Sequence, residues 1–396
     1  MHRFRHLTRM FILSAFLFPS ACSAQQKIDI AFTGDIMMHY AVKGTALVHS
    51  GTNEKHYTAS GFDYLFEKTA PVLKSADFAI GNMEFPVSPP FIQDEFIFNC
   101  PKEVIPSLKN SGFYAVSLAN NHLLDQGNKG VTDTMGFLEE AGLNYFGAAR
   151  TEKEARSGIV LEKDGFKVGV ISYTGLLNYP FPEKNDRFHL NNMNLADQMR
   201  ADIAALKKRC DFVIVQPHAG VEYVQAPTED QRKLYRTMID AGADLIVGHH
   251  PHILQYAEEY KSRDGRVCAI FYSLGNFICN QNYTYPVQGS KRNLDIRESF
   301  ILKVSLEKSI SGVTQKLHVI PVYTEHVMKR SNTREYKDIQ TVIINDEITR
   351  LKKERDGASA KRKKDIDRAV AEYEAKKGII RKVLFRKGAV SSVTME

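Results

Sequence analysis

Short runs of β-branched and aromatic residues recur along the chain, and each stops abruptly at polar residues. The runs are 28–33, 78–80, 114–118, 167–173, 212–216, 245–247, 269–272, 300–306 and 317–322. They are apolar on both faces or nearly so, as central strands of covered sheets are. Helical spacing appears between them. Leu195, Met199, Ile203 and Leu206 mark one helix over 195–209. Thr228-Glu-Asp-Gln231 reads as a capping box opening a second, which runs to Ala241. A third is predicted over 131–140, ended at Gly142. Strands alternating with helices predict one α/β layered domain over 28–325. Beyond Lys329, helical spacing of Ile344, Ile348 and Leu351, then of Ile366, Val370, Tyr373, Ile380 and Leu384, predicts two amphipathic helices. Residues 329–396 are therefore expected to form a helical C-terminal tail, packed on the domain or tethered to it.

Charge changes the picture in that tail. It holds 19 Lys and Arg against 11 Asp and Glu, whereas residues 28–328 hold 30 against 35. The net charge of +7 and the pI of 8.9 thus belong to the ends, not to the main domain. A nucleic-acid partner is excluded on this reading, because the domain itself is mildly acidic.

The N-terminus has its own pattern. Arg3, Arg5 and Arg9 precede an apolar run at 10–18, and small residues follow at 19–24. Residues 1–24 have a signal-peptide layout, and the run falls short of the roughly 20 apolar residues a spanning helix needs. Ser20-Ala21 before Cys22 fits a lipidation signal with Cys22 as the anchor; cleavage after Ala24 is the alternative. Either reading exports the protein to the cell envelope, periplasmic or surface. Cys100, Cys210, Cys268 and Cys279 fit no Cys-x-x-Cys pattern and are expected as buried thiols.

Candidate chemistry lies at the strand ends. Asp35, Asn82 and Glu84, Asn120 to His122 with Asp125, His218, the run Gly248-His-His-Pro-His252, and Asn276 each follow an apolar run. Open α/β sheets bind ligands beyond the carboxyl ends of their strands. Carboxylate, imidazole and amide oxygen together suit a divalent ion such as Mn²⁺, Fe²⁺ or Zn²⁺. No cysteine joins the set, which argues against a structural zinc site. Three imidazoles within four residues are rarely needed for packing, and histidine is the commonest metal ligand.

Six of these segments carry a family resemblance: Gly34–Met37, Gly81–Pro86, Ala119–His122 with Asp125 and Gly127, His218–Tyr223, Gly248–Gln255 and Tyr272–Phe277. Together they resemble the CapA-type capsule (poly-γ-glutamate) synthesis family, which is similar to calcineurin-like metallophosphatases. The resemblance implies a four-layer α-β-β-α sandwich holding one or two metal ions. It implies Asp35, Glu84, Asn121, His218, His250 and His252 as metal ligands, and His122 beside Asp125 as the acid that protonates a leaving oxygen. His250 and His252 are expected to face one site from an extended segment, with His249 pointing away or bracing a ligand. Arg150, Glu222, Tyr223, Asn276 and Arg297 are expected substrate contacts. Three features depart from the metallophosphatase pattern: no histidine stands at position 37, Glu84 replaces an Asp, and Ala219 replaces a Trp.

The implied role is the biosynthesis, export or attachment of an anionic polymer, with membrane-embedded synthesis or export partners. A freestanding metallophosphoesterase acting on phosphoesters and a non-catalytic polymer-binding scaffold are the alternatives, since fold does not fix function.

Overall fold

The computed structural model describes residues 26–92, 97–183, 186–388 and 390–396. The expected signal segment and Cys22 lie outside the described residues.

Two sheets form the body. In the nine-stranded sheet the main order is Glu335–Ile343, Gly312–Arg330, Glu298–Ser309, Gln26–Ile36, Phe78–Met83, Phe113–Ser117, Asn144–Phe146. The first four of these pair antiparallel and the last four parallel. Asn276–Ile278 lies beside Gln26–Ile36, and Val393–Met395 beside Gly312–Arg330. The six-stranded sheet runs Ala257–Lys261, Val267–Phe271, Leu245–Val247, Phe212–His218, Phe166–Thr174, Ile159–Lys163.

The period of two along each strand builds the layers. Ile30 and Phe32 face Val170, Ile214, Val247 and Phe271 between the sheets, while Ala31 and Ile36 face outward onto Phe62, Leu65, Phe66 and Leu138. Ile171, Tyr173 and Val215 point out of the second sheet onto Met199, Ile203, Tyr235 and Met238. Those outer residues come from helices Ala59–Phe66, Gly127–Ala141, Ala196–Lys207 and Glu229–Asp240. The four-layer α-β-β-α sandwich is therefore present.

Several expectations change. Helices Tyr40–Val48, Ala59–Phe66 and Val104–Asn110 were not anticipated. The capping box is half made. Thr228 accepts from the Gln231 amide at 3.1 Å, but the Gln231 side chain turns inward to Gln255 at 3.0 Å.

The tail differs most. The Gly312–Arg330 strand runs through the expected boundary, and Glu335–Ile343 is an edge strand where helix was expected. The two expected helices exist as Ile344–Asp356 and Ala360–Leu384. Their residues Ile344, Ile366, Ile380 and Leu384 are fully or almost fully buried in the core between the sheets. No described helix is long and apolar enough to cross a membrane.

Candidate metal centre

The two sheets meet at their carboxyl ends because small residues let backbones touch. A Cβ on Gly34 would stand 2.2 Å from the Gly275 carbonyl oxygen; within the six-stranded sheet, one on Gly248 would stand 2.2 Å from that of Tyr272. The chain leaves the six-stranded sheet after Val267–Phe271 and crosses at Gly275. Asn276 then pairs with Asp35 in the other sheet. This crossover carries the ends of five strands into one buried cluster.

Asp35 sits at its centre, fully buried. His249 Nδ1 approaches its Oδ1 at 2.8 Å, and Asn82 Nδ2 donates to the same oxygen at 2.8 Å. The His250 amide donates to Oδ2 at 3.2 Å, and His252 Nδ1 stands 3.4 Å from it. Burial opposes ionisation, but the contacts from His249 and His252 outweigh it and hold this carboxyl well below its usual range. His249 is tied on its other nitrogen to Gln216 at 2.9 Å. It braces Asp35, as one of its two expected roles required.

Glu84 is equally buried and quite different. His218 Nε2 and His252 Nε2 come within 3.5 and 3.6 Å of Oε1, yet neither side-chain oxygen accepts a hydrogen bond. Burial pushes this carboxyl well above its usual value, against the nearby His252. His252 is in turn raised to about 9: desolvation is outweighed by the Glu84 and Asp35 carboxylates. Burial and neighbouring imidazoles lower His218, and lower His250 to about 3.

Ligand atoms of Glu84, His250 and His252 lie within 4.8 Å of one another, and so do those of Asp35, Glu84 and His218. Asn121 Oδ1 stands 2.8 Å from His218 Nε2, and the buried Nδ1 of His250 has no partner. The extended geometry expected for His250 and His252 is corrected. Both have positive φ, 97° and 55°, and so does Tyr223 at 61°. Side-chain residues adopt this conformation at a cost of about 1–3 kcal/mol each, and such strain clusters at functional sites. The backbone twist, not strand alternation, aims both rings inward.

His122 adjoins this cluster. Its Nδ1 lies 2.7 Å from Asp125 Oδ2, which also accepts from the Phe98 amide at 2.6 Å. Nε2 is left without a protein partner among the described residues. Asn178 bridges Asn121 and His122 at 3.1 and 3.3 Å.

Asn276 lies 3.0 Å from His252 Nδ1 through its amide oxygen, so it orients an imidazole where a substrate contact was expected. Tyr223 lies 6.1 Å from His252 between ring centres and stacks on Tyr285, and Glu222 beside it is exposed.

Two expected residues stay apart. Arg150 is held by both oxygens of Glu139 at 2.7 and 2.8 Å. Arg297 is clasped by Asp295 and lies over the Tyr323 ring at 4.9 Å. Each guanidinium is paired with a carboxylate of its own. Gln216 and Asn178 were missed as site residues, and Asn82 was named among the strand-end candidates without a role. Asn82 stood visibly in the Asn-Met-Glu segment; Asn178, in a loop, gave no pattern.

The fold and this cluster define a two-sheet α/β protein with a buried histidine–carboxylate centre at the strand ends. The chain belongs to the bacterial capsule synthesis protein PGA_cap family, whose model matches residues 29–281. It is 33% identical over 271 residues to the capsule biosynthesis protein CapA of Bacillus anthracis, covering 65% of this chain and 61% of that one. It is 32% identical over 307 residues to the PGA biosynthesis protein CapA of Bacillus subtilis, covering 74% of this chain and 71% of that one. The chain therefore spans less than two thirds of the first relative's length. Among solved structures, the NAD nucleotidase of Haemophilus influenzae overlaps with a TM-score of 0.45 at 11% identity, covering 94% of this chain and 57% of that one. An overlap this loose assigns no activity.

Proposed function

We propose that this protein acts in the cell envelope in the biosynthesis, export or attachment of an anionic capsular polymer of the poly-γ-glutamate kind, and that its strand-end cluster holds a divalent metal. The observation that carries the metal reading is Glu84, a buried carboxylate with both oxygens unpartnered between two imidazoles. Leaving such a group without a partner costs several kcal/mol, which a cation at that point would remove.

Asp35, Glu84, Asn121, His218, His250 and His252 are the ligands this set offers. A bound divalent ion would supply Lewis-acid charge next to a phosphoryl or acyl oxygen. The other roles belong to the chain. Asp125 fixes the His122 ring, whose Nε2 gives a proton to a leaving oxygen. His249 and Asn276 hold Asp35 and His252 in place, as partners behind metal ligands do.

Metal analysis of the purified protein tests the reading. The wild type should retain a divalent ion, and His250→Ala/His252→Ala should lose it while staying folded. Metal surviving in that variant would overturn the ligand set. Turnover of a model phosphodiester, without any effect on γ-glutamyl polymer, would favour a freestanding phosphoesterase instead. The envelope reading rests on the 1–24 segment. Cys22→Ser should move the protein from the membrane fraction to the soluble fraction, and an unchanged distribution would refute the anchor.

A further inference from the structure

Most of the described arginines are paired with carboxylates. Arg156, Arg236, Arg266, Arg292, Arg297 and Arg350 are examples. One cluster is not. Arg381, Lys382, Arg386 and Lys387 line a cleft of about 690 Å³, and its lining contains no acidic residue. Arg381 donates to the Met395 carbonyl at 3.2 Å, Lys382 to the Gly289 carbonyl, and Arg386 to the Gln288 side chain. Lys387 lies 5.9 Å from the centre of the Tyr256 ring. Among the described residues none of the four has a carboxylate within ion-pair distance. The floor is apolar, made by Val287, Val383 and Phe385.

The carbonyl end of helix Ala360–Leu384 attracts cations, which accounts for Arg381 and Lys382 in its last turn. It does not account for Arg386 and Lys387, which lie beyond the helix. Four uncompensated cations around one concavity raise the local concentration of anions. Guanidinium and ammonium groups suit carboxylate and phosphate alike.

The cleft also shares a wall with the metal centre. Gln225 lines the cleft and donates to the Pro286 carbonyl at 2.9 Å. Two residues earlier, Tyr223 stacks on Tyr285 with the ring planes within 5°, and it also lies beside Tyr283 and His252, each 6.1 Å away between ring centres. Segments 221–225 and 283–288 therefore join the basic cleft to the mouth of the strand-end site.

We infer that this cleft is a second binding site, which anchors a linear polycarboxylate while another part of the same chain reaches the metal centre. The inference rests on the polymer reading above. Concavity and the shared wall favour a flexible chain over a flat anionic membrane, which would need the cations on a convex surface.

The test measures binding of a fluorescein-labelled polyglutamate chain by anisotropy. Wild-type protein should bind, more weakly as salt rises. Lys382→Gln/Arg386→Gln/Lys387→Gln should bind on the order of tenfold more weakly. Lys361→Gln/Lys364→Gln, at the far end of the same helix, should bind as wild type does. The melting temperature and metal content of these two lysine and arginine variants should match wild type, because the cleft cations touch only backbone, an amide and a ring. His250→Ala/His252→Ala should retain cleft binding.

If wild type fails to bind polyglutamate at all, the polymer reading falls with the cleft. If it binds and the cleft variant binds equally well, the cleft alone is refuted. Loss of binding to vesicles containing phosphatidylglycerol, with polymer binding intact, would make the cleft a membrane contact and overturn the inference.

Discussion

Glu84 and Asp338 are both buried carboxylates, 0% and 5% exposed, and they have opposite surroundings. Asp338 lies on the edge strand Glu335–Ile343. His49 Nε2 reaches its Oδ1 at 3.1 Å, while Tyr64 hydroxyl and Lys329 Nζ reach Oδ2 at 2.8 and 2.6 Å. Every oxygen has a donor. Glu84 has none. A fold that satisfies one buried carboxylate so fully and leaves another bare is not short of donors. The bare one is held open, with a cost that only a proton or a cation removes. Asp338 fastens the edge strand Glu335–Ile343 to His49, at the end of helix Tyr40–Val48, and to Tyr64 of helix Ala59–Phe66; Glu84 has no such fastening, and that is where the proposed cation would sit.

The coarsest way to break the comparison is to remove the region around Asp338. Ending the chain after Arg330 deletes Ile339, Val342, Ile343, Ile344, Ile366, Ile380 and Leu384, all nearly or fully buried. At roughly 1.5–3 kcal/mol for each side chain, the loss of about 10–21 kcal/mol matches or exceeds the 5–15 kcal/mol by which a domain is typically stable. The truncated protein should be insoluble or show no cooperative melting. A soluble, metal-retaining truncation would prove the tail dispensable.

The sequence left the tail packed on the domain or tethered to it; its buried residues show packing, and its edge strand escaped notice for a physical reason. In Glu335–Ile343 the charged residues Glu335, Lys337 and Asp338 interrupt the apolar pattern, so the segment does not read as a sheet strand. Its charges are tolerated because Asp338 has three donors and Lys337 reaches Asn280. The central strands were legible because they are buried on both faces. The cluster was legible for a related reason: its residues follow those runs directly. Helices Tyr40–Val48 and Ala59–Phe66 are only nine and eight residues long, each with an internal glycine, and leave a weak helical period. For Arg150 and Arg297 the sequence shows a guanidinium but not the Glu139 or Asp295 folded against it. The inward aim of His250 and His252 depends on positive φ, which no residue pattern announced.

The next largest effect should come from Glu84→Gln. An amide keeps the size and loses the charge. Metal affinity should fall on the order of 100-fold, measured by competition with a chelator. The melting temperature of the metal-free protein should stay level or rise, because a bare buried carboxylate has been replaced by a neutral group. A drop in metal-free stability would mean that Glu84 is a structural residue like Asp338.

Asp338→Asn is the counterpart. It should cost about 2 kcal/mol in urea unfolding, the usual range for breaking a buried hydrogen-bonded charge. Metal content should not change. If metal is lost as well, the two regions are coupled and the contrast fails.

The finest test is pH. Burial alone would raise the Asp338 carboxyl, but His49, Lys329 and Tyr64 lower it to about 2. Its unfolded value is near 3.9. A carboxyl lowered on folding contributes stability that is present above the unfolded value and lost as pH falls through the folded one. The stability gap between wild type and Asp338→Asn should therefore narrow by about 1–2 kcal/mol from pH 5 to pH 2, a figure reduced for screening around the half-exposed Lys329. Glu84 is shifted the other way, so in metal-free protein its favourable contribution exists at low pH and fades as pH rises. Metal-free wild type should accordingly gain on Glu84→Gln as pH falls, while it loses its lead over Asp338→Asn. Parallel pH profiles for the two pairs would show that the carboxylates sit in equivalent surroundings, and the case for a cation at Glu84 would go with them.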